Sequence, residues 1–115
     1  MNNTEQVVII VHLQLKPHAD KQAFFDNLKT LFDTMSKEPT FVNAIVHENV
    51  DNPNELVFYE IWNCSKETWL AEEASKAYRQ GPLTRAAEFL SGREGSFYTT
   101  MAEWGTTITA GKHFS

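Results

Sequence analysis

The stretch Asp51-Asn52-Pro53-Asn54-Glu55-Leu56-Val57-Phe58-Tyr59-Glu60-Ile61-Trp62 decides the fold. Its first four residues are a dense turn signal, each of a type that favours tight turns. The eight that follow are almost continuously apolar, with the β-branched and aromatic content of a strand. Upstream, Phe41 to Val50 also has strand character. Two strands joined by four turn residues make an antiparallel hairpin.

Working outward, each flank supplies a helix and then a strand. On the N-terminal side, Phe24, Leu28, Leu31, Phe32 and Met35 fall at helical spacing within Ala19 to Lys37. Asp20 is placed to cap that helix, and Glu38-Pro39 ends it, because the residue before proline disfavours the α region. Before it, Val7 to Leu15 is a β-branched strand closed by Lys16-Pro17. On the C-terminal side, Ser65 is a helix cap, followed by Trp69, Leu70, Ala74, Ala77 and Tyr78 at helical spacing. Gly81-Pro82 breaks or kinks this helix, and a second piece runs from Leu83 to Leu90. The spacing then predicts a last strand over Ser96 to Trp104. The order is β-α-β-β-α-β, the ferredoxin-like α+β pattern: a four-stranded antiparallel sheet with two helices on one face. Residues 1–104 form one domain, and 105–115 a tail without clear period.

Composition excludes several functions. The chain has 115 residues, Lys+Arg 10 against Asp+Glu 15, and a net charge of -5. Without a basic cluster it is unsuited to nucleic acid. One cysteine, Cys64, allows neither an internal disulfide nor a thiolate metal cluster. The four His are scattered, without metal-ligand spacing, and no Gly-rich phosphate loop is present. The polar N-terminus and the short apolar run after it predict neither a signal peptide nor a membrane span, and so a soluble cytoplasmic protein.

Aromatic residues make up 12% of the chain and need cover. Helices cover one sheet face, yet both faces carry large apolar residues. Strand one offers Val7, Ile9, Val11, Leu13 and Leu15 to one side and Val8 and Ile10 to the other. Strand three offers Leu56, Phe58 and Trp62 to one side and Val57, Tyr59 and Ile61 to the other. An exposed face of that kind exceeds the apolar patch of a typical monomer. A two-fold homodimer packed sheet to sheet is expected.

The hairpin stretch, together with Leu15-Lys16-Pro17 and Glu38-Pro39 in the right order, resembles the antibiotic biosynthesis monooxygenase family, the dimeric α+β barrel proteins. The resemblance covers roughly residues 7 to 104. It implies a homodimer whose subunits each hold a pocket between sheet and helices. It also implies oxidation of a small phenolic or quinol-like substrate by O2 without a bound cofactor. Some members degrade haem; the His that many carry in the second helix is absent from Glu72–Arg79, and Ile10 stands nearest the strand-one Asn of the haem-degrading members. Those departures argue against haem degradation of that type. An isomerase acting on a small phosphorylated or hydroxylated ketone, and a non-catalytic ligand-binding dimer, remain alternatives on the same fold.

The candidate catalytic residues are His47, Tyr78 and Arg79. His47 shares a strand face with Phe41, Asn43 and Ile45 and could serve as base or hydrogen-bond donor, with Asn43 as a second polar group; otherwise it is a barrel-face or rim residue at the dimer interface. A Tyr hydroxyl and a guanidinium at 78 and 79 could hold an anionic oxygen; otherwise Arg79 pairs with Glu72 or Glu73 on the surface. The candidate substrate-binding residues are His12, the one ionisable group inside the first apolar run, with Asn43, Trp62 and Trp69. The bland roles are an exposed strand His for His12 and core packing for the two Trp. Glu60, on a central apolar strand, is expected to be paired structurally, within the chain or across the dimer, because an unpaired buried charge is costly.

Overall fold

The computed structural model describes residues 5–105. The chain runs β1 (Val7–Leu15), α1 (Lys21–Met35), β2 (Phe41–Asn49), β3 (Asn52–Trp62), α2 (Lys66–Thr68), α3 (Gln80–Ala87) and β4 (Leu90–Tyr98). The four strands form one antiparallel sheet in the order β2-β3-β1-β4. The ferredoxin-like α+β architecture is therefore as the hydrophobic pattern implied. Residues 106–115, most of the expected tail, lie outside the described residues.

Local chemistry sets the element ends. The Asp20 carboxylate accepts from the Ala23 N–H at 3.0 Å and caps α1, a contact worth about 1 kcal/mol. The Ser65 hydroxyl does the same for α2 through Thr68 N–H, also at 3.0 Å. The β2–β3 hairpin is tighter than the four-residue turn suggests: Asn49 pairs with Asn52, so β3 begins inside that turn. Pro53 then falls where the pairing register shifts, a place that tolerates its missing N–H.

One face of the sheet carries the core. Cross-strand partners share a face, and the pairs Val7–Trp62, Val11–Phe58 and Leu13–Leu56 point to the helices. Phe24, Leu28, Leu31 and Met35 of α1 meet them. Phe24, Met35, Leu56 and Trp62 are fully enclosed, and burial of each such side chain contributes roughly 1.5–3 kcal/mol.

Three features depart from the sequence reading. The last strand starts at Leu90, not Ser96: Gly92 and Gly95 lie inside β4, opposite Gln14 and Val11 of β1. Their small side chains look like turn punctuation, but pairing with β1 supplies the order they lack locally. Gly81-Pro82 does not break a helix; both sit in the first turn of α3, where a missing proline N–H costs nothing. The interruption comes earlier, after a π-type turn, Trp69–Glu73, closed by the Ala74 N–H to the Trp69 carbonyl at 3.0 Å. Third, a bulge between Phe41 and Asn43 separates those residues. Phe41 turns to the core, with its ring 5.2 Å from Trp62, while Asn43 pairs with Ile61 on the outer face.

That outer face is apolar along its middle. Val8 and Ile61 are buried there, and Ile10, Ile45, Val57 and Tyr59 are half-buried. The chain leaving β4 borders this strip, with Met101 100% and Trp104 87% exposed.

Candidate active site

A cavity of about 340 Å³ lies between the helix side of the sheet and helices α1 and α3. Phe24, Leu28 and Phe32 of α1, Leu13 and Phe58 of the sheet, and Leu83 and Ala86 of α3 line it with apolar surface. Four polar side chains break that surface: Asn27, Glu60, Arg79 and Arg93. The volume is within the range of small-molecule sites, and a few polar groups in an apolar wall are the usual means of orienting a ligand.

Glu60 is placed by strand parity. It pairs with Ile9 across β1–β3, so it shares the core side with Leu56, Phe58 and Trp62. It is 5% exposed. The Trp62 indole N–H donates to its Oε1 at 3.0 Å. The expected structural partner thus comes from the same strand, two residues on. Burial pushes the Glu60 carboxyl above the usual carboxylate range; the Trp62 hydrogen bond and the charges of Arg79 and Arg93 oppose the shift without cancelling it. Such a group can take up and return a proton closer to neutral pH than an exposed carboxylate.

Arg79 is held from two sides. Its Nη1 donates to Glu73 Oε2 at 2.9 Å, with the two residues 6% and 4% exposed. Its guanidinium lies over the Trp69 ring at 5.0 Å, a cation–π contact. The π-type turn ends at Glu73, so the wide turn presents both Trp69 and Glu73 to Arg79. The Tyr78 hydroxyl donates to the same Glu73 oxygen. Burial first, and then Glu73, push the Tyr78 phenol well above its ordinary range, so it stays a protonated donor. Lys76 completes the cluster, 2.6 Å from Glu38 and 3.5 Å from Glu73. Asn27 is fixed by the Pro82 carbonyl, to which its Nδ2 donates at 2.9 Å, and by Arg85, which donates to its Oδ1 at 3.3 Å.

A family model described as antibiotic biosynthesis monooxygenase matches residues 7–88. The chain belongs to the antibiotic biosynthesis monooxygenase family. Solved structures share the fold. A conserved protein from Methanosarcina mazei Go1 superposes with a TM-score of 0.73 at 21% identity, over 83% of this chain and 92% of that one. A Nitrosomonas europaea protein assigned to the antibiotic biosynthesis monooxygenases gives 0.74 at 19% identity, over 91% and 99%. SnoaB, a cofactor-independent oxygenase from Streptomyces nogalater, gives 0.75 at 15% identity, over 86% and 96%. No curated protein matched the chain.

In this member of the antibiotic biosynthesis monooxygenase family, the candidate residues from the sequence divide by sheet face. Arg79 lines the cavity. Tyr78 is tied to Glu73 behind it, and Trp62 and Trp69 form the wall that holds Glu60 and Arg79, their rings 6.1 Å apart. The bulged strand leaves His47 and Asn43 on the outer face, where His12 also lies, paired like His47 with Val57. His12 and His47 are exposed. Neither meets the cavity. Glu60 and Arg93 enter it instead. Parity with Leu56, Phe58 and Trp62 could have placed Glu60 there, but the sequence reading gave it only a structural role. Arg93 was not legible, because its strand was placed too late.

Proposed function

We propose that the chain is a monooxygenase that oxidises a small phenolic or quinol-like substrate with O2 in the cavity between sheet and helices, without a bound cofactor. The observation that carries this reading is Glu60: a buried carboxyl of raised pKa at the wall of an apolar cavity, with Arg79 beside it. Family membership and the shared fold with a cofactor-independent oxygenase support the reaction class.

The chemistry balances with the substrate as the source of electrons. Glu60 takes the phenolic proton, leaving an electron-rich anion that the nearby guanidinium of Arg79 stabilises. The anion passes one electron to O2, and the resulting pair joins at a ring carbon to form a peroxide, which Glu60 protonates. Loss of the C–H proton from that carbon to Glu60 and cleavage of the O–O bond leave a carbonyl. The departing hydroxide takes the Glu60 proton and leaves as water. One oxygen atom stays in the product, one becomes water, and Glu60 returns to its starting state. The apolar wall keeps bulk water from the intermediate.

The apolar strip on the outer face supports a homodimer packed sheet to sheet as the working unit. Sedimentation at micromolar concentration tests it; a particle of 13.1 kDa would count against the dimer. Oxygen-electrode assays with a panel of quinols and hydroxynaphthalenes test the activity. Glu60→Gln is expected to lower the uptake rate by about 10²–10⁴, the range general acid–base catalysis supplies. Equal uptake by wild type and variant would remove Glu60 from the mechanism, and no uptake on any compound would remove the activity.

A further inference from the structure

The cavity holds two guanidiniums, and they are not equivalent. Arg79 is paired with Glu73 through one nitrogen and stacked on Trp69, both of them buried neighbours. Arg93 lies on the edge strand β4, where it pairs with Leu13, so it shares the helix side of the sheet. It lines the cavity and is also exposed to solvent, which places it at the opening. Its chain neighbour Glu94 pairs with His12 and belongs to the other face. Among the described residues no carboxylate forms an ion pair with Arg93.

Glu73 offsets Arg79, and Glu60 is enclosed, with the Trp62 indole donating to it. The exposed guanidinium of Arg93 is the charge that meets the opening, facing apolar walls. A guanidinium in that setting favours a planar anion that it can grip with two parallel N–H bonds. The aromatic and aliphatic wall favours a flat ring system attached to that anion.

We infer that the natural ligand of this cavity is an aromatic acid, its carboxylate held by Arg93 at the opening and its ring inserted toward Glu60. This rests on the cavity being the substrate site and adds the substrate's charge and its direction of entry: acid group outward, oxidisable ring carbon inward.

Titration calorimetry with 2-naphthoate and with its neutral counterpart 2-naphthamide tests it. Wild type is expected to bind 2-naphthoate about tenfold more tightly or better, the value of one charged hydrogen-bonded contact. Arg93→Met is expected to erase that preference while leaving the 2-naphthamide affinity unchanged. Arg93→Lys, which keeps charge but loses the fork, is expected to fall between. Arg93 is exposed, so both variants should fold as wild type does. Equal wild-type affinity for the two compounds would overturn the acid while leaving the aromatic cavity standing. An equal loss for both compounds in Arg93→Met would overturn the role of Arg93. Failure of both compounds to bind at millimolar concentration would overturn both the acid and the cavity as the substrate site.

Discussion

The two faces of the sheet are built from the same strands, yet they hold ionisable groups under opposite conditions. On the helix side, Glu60 and Arg79 are enclosed, and burial displaces the Glu60 proton equilibrium. On the outer side, His12 and His47 stand exposed on β1 and β2. Histidine is the residue type usually expected to act as a base near pH 7, but an exposed imidazole has no enclosed substrate to act on. The carboxylate, ordinarily too weak a base, is the one placed against a cavity. Cover, more than residue type, decides which group can do chemistry.

The largest expected contrast between the faces is in stability. Arg79→Met leaves Glu73 buried with only Tyr78 and Lys76 as partners, and is expected to cost ~3 kcal/mol, the low end for breaking a buried pair. Urea unfolding checks this; a loss below about 1 kcal/mol would show that the Glu73–Arg79 pair is not what holds the cluster.

A smaller effect concerns pH. Because the folded-state pKa of Glu60 is raised, the folded chain binds this proton more readily than the unfolded one. Its contribution to stability is therefore fully present below the unfolded value, about 4.3, and is lost as pH rises through the folded value. Glu60→Gln removes that slope. The variant's stability relative to wild type should rise from acid to neutral pH, as read from paired unfolding curves. A constant difference across that window would mean that Glu60 is not displaced.

The smallest effects belong to the outer face. His12→Ala and His47→Ala are each expected to stay within ~0.5 kcal/mol of wild type in unfolding. Each should also leave quinol-dependent O2 uptake within about twofold. A larger loss of uptake in either variant would mean that the outer face takes part in the reaction, and would redraw the comparison.

Much of this was legible in the chain. The period-2 runs around Val11 and Phe58, the period-3.6 run from Phe24 to Met35 and the caps at Asp20 and Ser65 are local signals, each decided within a few residues. Arg79 could be singled out as a polar residue near an interruption in a helix. Glu60 was visible by parity, but its meaning was not, because a carboxylate on a strand looks like solvent-facing polarity until its cover is known. Three placements depended on pairing instead. β4 contains two glycines and is mostly exposed, so no hydrophobic pattern marks it; its hydrogen bonds to β1 do. The bulge after Phe41 breaks period 2 in a place where the residues give no sign of it. The π-type turn that brings Trp69 and Glu73 to Arg79 adds one residue to a helical turn, and only the packed partners show why.

By itself, then, the sequence determined the element order, the core side of each regular strand and the ferredoxin-like class, because these follow from short-range periodicity and capping. The tertiary structure decided which charged groups share a cavity, with Glu60 and Arg79 enclosed and Arg93 at the opening, and which lie away from it. That depends on register across strands and on a helix laid over them, and burial acts on a side chain only through neighbours that are distant along the chain.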